Sequence, residues 1–238
     1  MTNTFKKTAI AAAKSAGALL EKNIGNAHHI EFKGVIDIVT EMDRKAEDLI
    51  IRIIKDNFPK HGILTEESRE QKSDSEYRWI IDPLDGTTNY SHGFPVFCVS
   101  IALEKEGEGI ILGAVYNPML NELFTAEKNK GAYLNNKKIK VSDIKELTKS
   151  LLATGFPYDI RTSPDNNIAH FANFAVRAQA IRRAGSAALD MCYVACGRID
   201  GFWEMKLKPW DTAAAWLIIK EAGGMVTGFN GKEFSLYS

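Results

Sequence analysis

The chain has 238 residues, 45% hydrophobic and 25% charged, enough to bury one large core or two closely joined lobes. Lys plus Arg and Asp plus Glu number 30 each, so the net charge is zero, and the basic surplus of a nucleic-acid binder is absent. Three cysteines, Cys98, Cys192 and Cys196, make neither a paired framework nor a zinc site, and they read as small apolar residues in a reduced compartment.

At the N-terminus, Lys6 and Lys7 precede an Ala-rich run that Lys14 and Glu21 interrupt, which is unlike a secretory signal. Phe5, Ile10, Ala13, Leu19 and Leu20 fall at loosely helical spacings, so the spacing predicts an amphipathic first helix. No run approaches the roughly 20 apolar residues of a membrane span. The expectation is a cytoplasmic protein with no membrane and no direct nucleic-acid partner. Residues 40–58 form the clearest helix: Ala46, Leu49, Ile50, Ile53, Ile54 and Phe58 share one face, and Pro59 stops the run. Thr40 with Asp43 three residues on has the form of a helix cap.

The period then shortens. Trp79-Ile80-Ile81 reads as a buried strand ending at Asp82-Pro83, where the proline takes the chain out of the sheet. Val96 to Leu103 and Ile110 to Tyr116 are further strands, separated by the turn-like Glu106-Gly107-Glu108-Gly109. Leu123-Phe124-Thr125 and Ala132-Tyr133-Leu134 follow, with Asn135-Asn136 as a hairpin tip. The first half thus reads as helices followed by an antiparallel meander. In the second half, Leu151 to Thr154, Ala180 to Arg182 and Ile199 to Glu204 read as strands. Residues 166–178, Ser186 to Cys196 (closed by Gly197) and Thr212 to Ala222 (closed by Gly223-Gly224) read as helices. Two sheets layered with helices follow from this pattern.

Four segments carry chemistry. In Asp82-Pro83-Leu84-Asp85-Gly86-Thr87-Thr88-Asn89, two carboxylates leave a buried strand on a tight bend. That arrangement suits a hard cation such as Mg²⁺, while Gly86 and Thr87 amides suit an anion held against it. Glu66-Glu67-Ser68 begins sixteen positions earlier, after Gly62-Ile63-Leu64, which brings Glu66 towards the same sheet edge as Asp82. Asp211, before an Ala-rich helix, is an N-cap that also has an oxygen to offer a metal. Ser186, after Arg182-Arg183-Ala184-Gly185, is the expected cap of a helix whose free amides face a polar ligand, and Glu204 projects near Asp211.

Taken together, Glu66-Glu67-Ser68, Asp82 to Asn89, Gly185-Ser186-Ala187-Ala188 and Trp210-Asp211-Thr212-Ala213-Ala214 resemble the signature set of the inositol monophosphatase family. The resemblance extends from about Ile10 to Gly224 and includes Lys33, Asp37 and Val39 to Asp43. It implies an α+β fold, the layered α-β-α-β-α sandwich of the sugar phosphatases. Residues 1–145 would form a metal- and phosphate-binding lobe and 146–238 a substrate-binding lobe. It implies a Mg²⁺-dependent, lithium-sensitive phosphomonoesterase acting on myo-inositol monophosphate or a similar polyol or sugar phosphate through a metal-activated water, commonly as a homodimer. Glu66, Asp82 and the Leu84 carbonyl would hold one ion, Asp82, Asp85 and Asp211 a second, and a weaker third would lie near Glu66. Glu66 and Thr87, with Asp43 orienting the Thr hydroxyl, would be catalytic. Gly86 and Thr87 would meet phosphate, and Asp85, Gly185, Ser186, Ala187, Glu204 and Asp211 would surround the polyol.

Family members usually continue past Gly223-Gly224 with a further strand and helix, whereas this chain stops at Ser238. The expectation is an abbreviated C-terminal lobe or a shortened chain, with one sheet edge exposed or covered by a partner. Alternatives are a fructose-1,6-bisphosphatase or dual-specificity enzyme, with Arg182 and Arg183 serving a second phosphate, and a phosphatase-fold interaction protein in a transcription complex. His28, His29, His61, His92 and His170 are scattered, and only His92 lies near the Thr-Asn segment.

Overall fold

A computed structural model describes residues 2–26, 30–32 and 38–237; His28, His29, Lys33 and Asp37 lie outside them. The first amphipathic stretch forms α1 (Thr2–Asn23), which buries Phe5, Ala13 and Leu20 and half-buries Ile10 and Leu19. A short antiparallel pair, β1 (Ile30–Phe32) and β2 (Ile38–Thr40), leads into α2 (Glu41–Asn57). The expected cap is present: the Met42 amide donates to Thr40 Oγ1 at 3.1 Å, and the Thr40 amide and hydroxyl donate to Asp43 Oδ2 at 2.8 and 2.6 Å.

A seven-stranded sheet follows in chain order: β3 (Gly62–Thr65), β4 (Tyr77–Asp85), β5 (Cys98–Lys105), β6 (Gly109–Asn117), β7 (Glu122–Glu127), β8 (Ala132–Leu134) and β9 (Lys137–Lys138). From β4 onward it is the expected antiparallel meander, with Asn135 and Asn136 at φ 47° and 65° on the last tip. The meander reading omits β3, which lies parallel to β4 at the sheet edge. It also ends β4 too early, because the strand passes through Pro83 to Asp85 after β4 and β5 lose register between Asp82 and Asp85. In such a bulge the missing proline N–H costs no ladder bond. A five-residue helix, α3 (Thr87–Ser91), follows directly.

The second half supplies a three-stranded parallel sheet, β10 (Leu151–Thr154), β11 (Ala180–Arg182) and β12 (Gly201–Trp203), in the order β11-β10-β12. Its helices are α4 (Ile168–Ala175), α5 (Ala187–Ala195) and α6 (Pro209–Glu221). Helix α4 is shorter than its pattern, and β12 stops before Glu204. Helix α6 begins at Pro209 rather than Thr212, since proline at the first helical position is already set for the helix. Asp211 is therefore inside the first turn and is not the cap.

The period of two along the central strands sets the layers. Trp79, Ile81, Val99, Ile101 and Leu103 pack with α1 and α2, whereas Ile80, Cys98 and Ala102 face α5 and α6. The small sheet lies beyond α5, and α4 covers it, with Phe174 against Trp203. The order is the α-β-α-β-α sandwich expected. Near the end, Thr227 pairs with Glu233 and the Tyr237 hydroxyl bonds the Glu104 carboxylate at 2.9 Å. All three cysteines are free thiols, and His61 stacks between Phe58 and Tyr77.

Candidate active site

Parallel pairing of β3 with β4 sets Thr65 opposite Ile81, so Glu66 follows the end of β3 beside Asp82, which stays in β4 paired with Ser100 of β5. Glu47 on α2, 3% exposed, pins this corner. Its Oε2 accepts from the Thr65 hydroxyl at 2.5 Å and the Glu67 amide at 3.0 Å. The β4 bulge turns Asp82 and Asp85 towards the same cavity, and the Leu84 amide donates to Asp82 Oδ1 at 3.0 Å. Gly86 follows at φ 103°, a left-handed conformation that an L side chain resists. Asn89 ties this segment to the second half, donating to the Ala184 carbonyl at 2.8 Å and the Val96 carbonyl at 2.7 Å.

The Thr87 hydroxyl lies 2.7 Å from Asp43 Oδ1, its acceptor, and 3.1 Å from the Leu84 carbonyl. Asp43 is 1% exposed, and its other oxygen takes the two Thr40 donors. Burial pushes the Asp43 carboxyl up, against the lowering pull of those hydrogen bonds. A cap residue thus doubles as the partner that fixes the Thr87 hydroxyl.

Opposite, Asp85 Oδ2 accepts from Ser186 Oγ and from the Ala188 amide, both at 2.7 Å. The expectation that Ser186 caps α5 and leaves its first amides to a ligand needs correcting. Ser186 holds the cap position, but its hydroxyl makes no cap bond, and Asp85, an internal anion, takes the helix terminus. Asp211 Oδ2 accepts from the Lys208 amide at 2.6 Å. Glu204 stands so close to Gly155 that a Cβ there would lie 2.0 Å from its Oε1.

Glu66, Asp82, Asp85, Asp211 and Glu204 all line one cavity of about 460 Å³, together with Leu84, Gly86, Thr87, Gly185, Ser186 and Ala187. His92 and Arg182 are not on its wall; Arg183 is. Burial, then the charges of Glu66, Asp85 and Asp211, raise Asp82 well above the usual carboxylate range. Asp85 is raised by burial against the lowering bonds from Ser186 and Ala188. Burial takes Asp211 to about 7 and Glu204 to about 8.

The donor set fits a hard divalent cation: it is all oxygen, and Asp82 and Asp211 each keep one carboxylate oxygen that no donor among the described residues bonds. Among the described residues no group of three acidic, His or Cys side chains stands ready-made around an ion. The fit is therefore one of chemistry and shared cavity. A pH dependence follows. Asp211 and Glu204 have ordinary values of 3.8 and 4.5, so between those and about 7 to 8 the native state holds protons that the unfolded chain has released. The contribution of these two groups to the stability of the metal-free protein is fully present below the lower values and is lost as pH rises through the higher ones. Melting in chelator is expected several degrees lower at pH 8.5 than at pH 6, with added Mg²⁺ removing most of the difference.

Sequence reasoning missed Glu47, Gly155 and Asp190, which also lines the cavity. Glu47 lies one helical turn from Asp43 on a face that is otherwise buried, a signal that was available. Gly155 and Asp190 carry no local signal.

The model of the inositol monophosphatase family matches residues 1–238. The chain is 46% identical over 226 residues to a Nus factor SuhB of Vibrio cholerae, covering 94% of this chain and 84% of that protein. It is 46% identical over 229 residues to an inositol-1-monophosphatase of Synechocystis, covering 95% and 79%. It superposes on the structure of an inositol monophosphatase from Anabaena with a TM-score of 0.88 at 46% identity, covering 98% of this chain and 87% of that one.

Proposed function

This chain belongs to the inositol monophosphatase family and is a phosphoric monoester hydrolase, and from that premise we propose that it cleaves myo-inositol monophosphate or a similar small polyol or sugar phosphate with Mg²⁺. One observation carries the reading. Glu66, Asp82, Asp85 and Asp211, from three separate stretches of the chain, line one cavity, where burial and mutual repulsion drive Asp82 towards protonation unless a cation compensates.

Glu66, Asp82 and the Leu84 carbonyl would hold one ion, Asp82, Asp85 and Asp211 a second, and a third would lie near Glu66. When bound, Mg²⁺ supplies positive charge to a nearly dianionic ester and its departing alkoxide, and makes water more acidic. The chain's own groups position the reactants. The Thr87 hydroxyl donates its hydrogen bond to Asp43, so its oxygen lone pairs are free to accept a hydrogen bond from the attacking water and orient it. Glu66, on the same wall, takes a proton as general base. The Gly86 and Thr87 amides at the start of α3 meet phosphate oxygens. Asp85, Gly185, Ala187, Glu204 and Asp211 surround the polyol, and Ser186 joins them through its oxygen lone pairs, since its O–H is hydrogen-bonded to Asp85. In-line attack by water leaves no side chain phosphorylated.

Residues 1–145 then form the metal- and phosphate-binding lobe and 146–238 the substrate-binding lobe of a cytoplasmic homodimer. Phosphate release from a panel of inositol, glycerol and hexose monophosphates and fructose 1,6-bisphosphate tests the reading. Activity is expected only with Mg²⁺ and reduced by Li⁺; hydrolysis that is equal in chelator counts against it. Arg183 on the cavity wall is the observation that keeps fructose 1,6-bisphosphate on that panel. Glu204→Gln is expected to change the ranking of substrates by about tenfold with little change in the Mg²⁺ requirement, and an equal change in both would remove the division between metal and polyol residues. The SuhB relatives favour a second, protein-binding role. Capture of a partner by both the parent chain and Asp82→Ala would support it, and loss with Asp82→Ala would tie binding to the active site.

A further inference from the structure

Strand β3 ends at Thr65, whose pairing with Ile81 is the last between β3 and β4, so the ladder stops one residue short of Glu66. A side chain from the helical layer takes over there. Glu47 Oε2 on α2 accepts from the Thr65 hydroxyl at 2.5 Å and from the Glu67 amide at 3.0 Å, 18 and 20 residues further along the chain. One oxygen therefore bonds the residues on both sides of Glu66.

Glu47 is an unusual occupant of its position. It is 3% exposed and sits on the stripe of α2 that buries Met42, Ala46, Ile50 and Ile54. Glutamate is almost never fully buried unless it is paired, and a carboxyl among apolar neighbours costs stability that a leucine or methionine there would not. Packing gives no reason for an acid at this place, whereas two donors that bracket Glu66 do. Asp43, one turn earlier on the same stripe, accepts from the Thr87 hydroxyl at 2.7 Å. The short stretch from Asp43 to Glu47 thus holds the segment after β3 by one carboxyl and the hydroxyl after β4 by another. Glu66 and Thr87 are the two groups assigned above to the attacking water.

We infer that Glu47 is a positioning residue: by accepting from Thr65 and Glu67 it fixes the backbone from which Glu66 reaches the cavity, so that one turn of α2 sets both Glu66 and Thr87 for metal binding and for orienting water. The inference deepens the phosphatase reading above and rests on it.

Two measurements on the full chain test it: calorimetric titration of the substrate-free protein with Mg²⁺, and initial rates on myo-inositol 1-phosphate at saturating Mg²⁺. Glu47→Ala is expected to weaken Mg²⁺ binding and to lower kcat, each by about tenfold or more, as loss of an outer hydrogen-bond partner of a metal ligand does. KM for the ester should stay within about twofold, because Glu47 is not on the cavity wall. Glu47→Gln keeps an oxygen able to accept from both donors and is expected to bring both quantities back to within about threefold of the parent. Ile50→Val trims the same buried stripe and is the control for lost stability: it should lower the melting temperature and leave both quantities at the parental level.

Parental Mg²⁺ affinity and kcat in folded Glu47→Ala would overturn the inference, as would equal losses in Ile50→Val, either result leaving Glu47 a purely structural role. Glutamine no better than alanine would also overturn it, since the accepted hydrogen bonds would then not be the cause. Should Glu47→Ala not fold, as melting curves would reveal, Thr65→Val decides. It removes one of the two bonds at nearly constant volume and is expected to lower both quantities about threefold, and parental values overturn the inference. A parent chain that neither binds Mg²⁺ nor cleaves the ester removes the phosphatase reading and this inference with it. A parent chain that does both, with variants that change neither, removes the inference alone.

Discussion

Asp82→Asn is expected to reduce turnover by about 10²–10³-fold or more while raising the melting temperature of the protein in chelator. Both effects have one cause. Asp82 is 1% exposed and lies within reach of the charges of Glu66, Asp85 and Asp211. Its ionised form is costly in the metal-free fold and useful only when a cation is present. Asparagine keeps an oxygen to accept from the Leu84 amide, so the β4 bulge survives. It loses the charge that would bind metal, and with it the repulsion among the acids. Phosphate release at saturating Mg²⁺ and thermal unfolding in chelator measure the two arms. Near-parental turnover would remove Asp82 from the metal site. A lower melting temperature with activity lost would show that the variant acts by damaging the fold.

Gly86→Ala is expected to cost about 2–4 kcal/mol of stability and most of the turnover. At φ 103° an L side chain is strained, and the added Cβ would lie 2.9 Å from the Val96 carbonyl oxygen and 3.3 Å from that of Gly185. Both neighbours are backbone, so neither can yield as the tip of a long side chain would. The strain falls between Asp85 and Thr87, displacing the hydroxyl held by Asp43 and the contact to the Gly185 segment together. Gly107→Ala is the control: its φ is 72°, with nothing within 4 Å of a Cβ. There the cost should be about 1 kcal/mol with activity retained. Equal losses in the two variants would show that left-handed strain alone, and not the crowding around Gly86, accounts for the effect. Denaturant melts and initial rates on the same preparations separate these outcomes.

The two variants probe different parts of one design. The acids form a cluster that the fold tolerates at a cost, and the Gly86 turn holds that cluster against the helix termini of the second half. Family membership makes a phosphatase of this architecture; which ester it takes is a matter of the side chains at the site and not of the fold.

What the amino-acid sequence determined by itself was local. Helical spacing marked α1 and α2, the Thr40–Asp43 cap was legible within four residues, and alternation along β4 to β8 marked a meander with a tip at Asn135-Asn136. The metal- and phosphate-facing motif was readable because Asp82, Asp85, Gly86 and Thr87 are contiguous, so their chemistry shows without the fold. Tertiary structure alone decided which groups those residues meet. Thr87 finds Asp43 at a separation of 44 residues, and Asp85 finds Ser186 at 101. Ser186 therefore gives its hydroxyl to a distant carboxylate and not to the cap its local sequence suggests, and β4 runs on past a proline because a bulge absorbs it. The parallel strand β3 and the contact of Gly155 with Glu204 follow the same rule. Short-range patterns report propensity and burial, which are properties of a segment. Hydrogen-bond partners and close approaches between distant segments are set by the packing of whole layers, and no single segment carries that information.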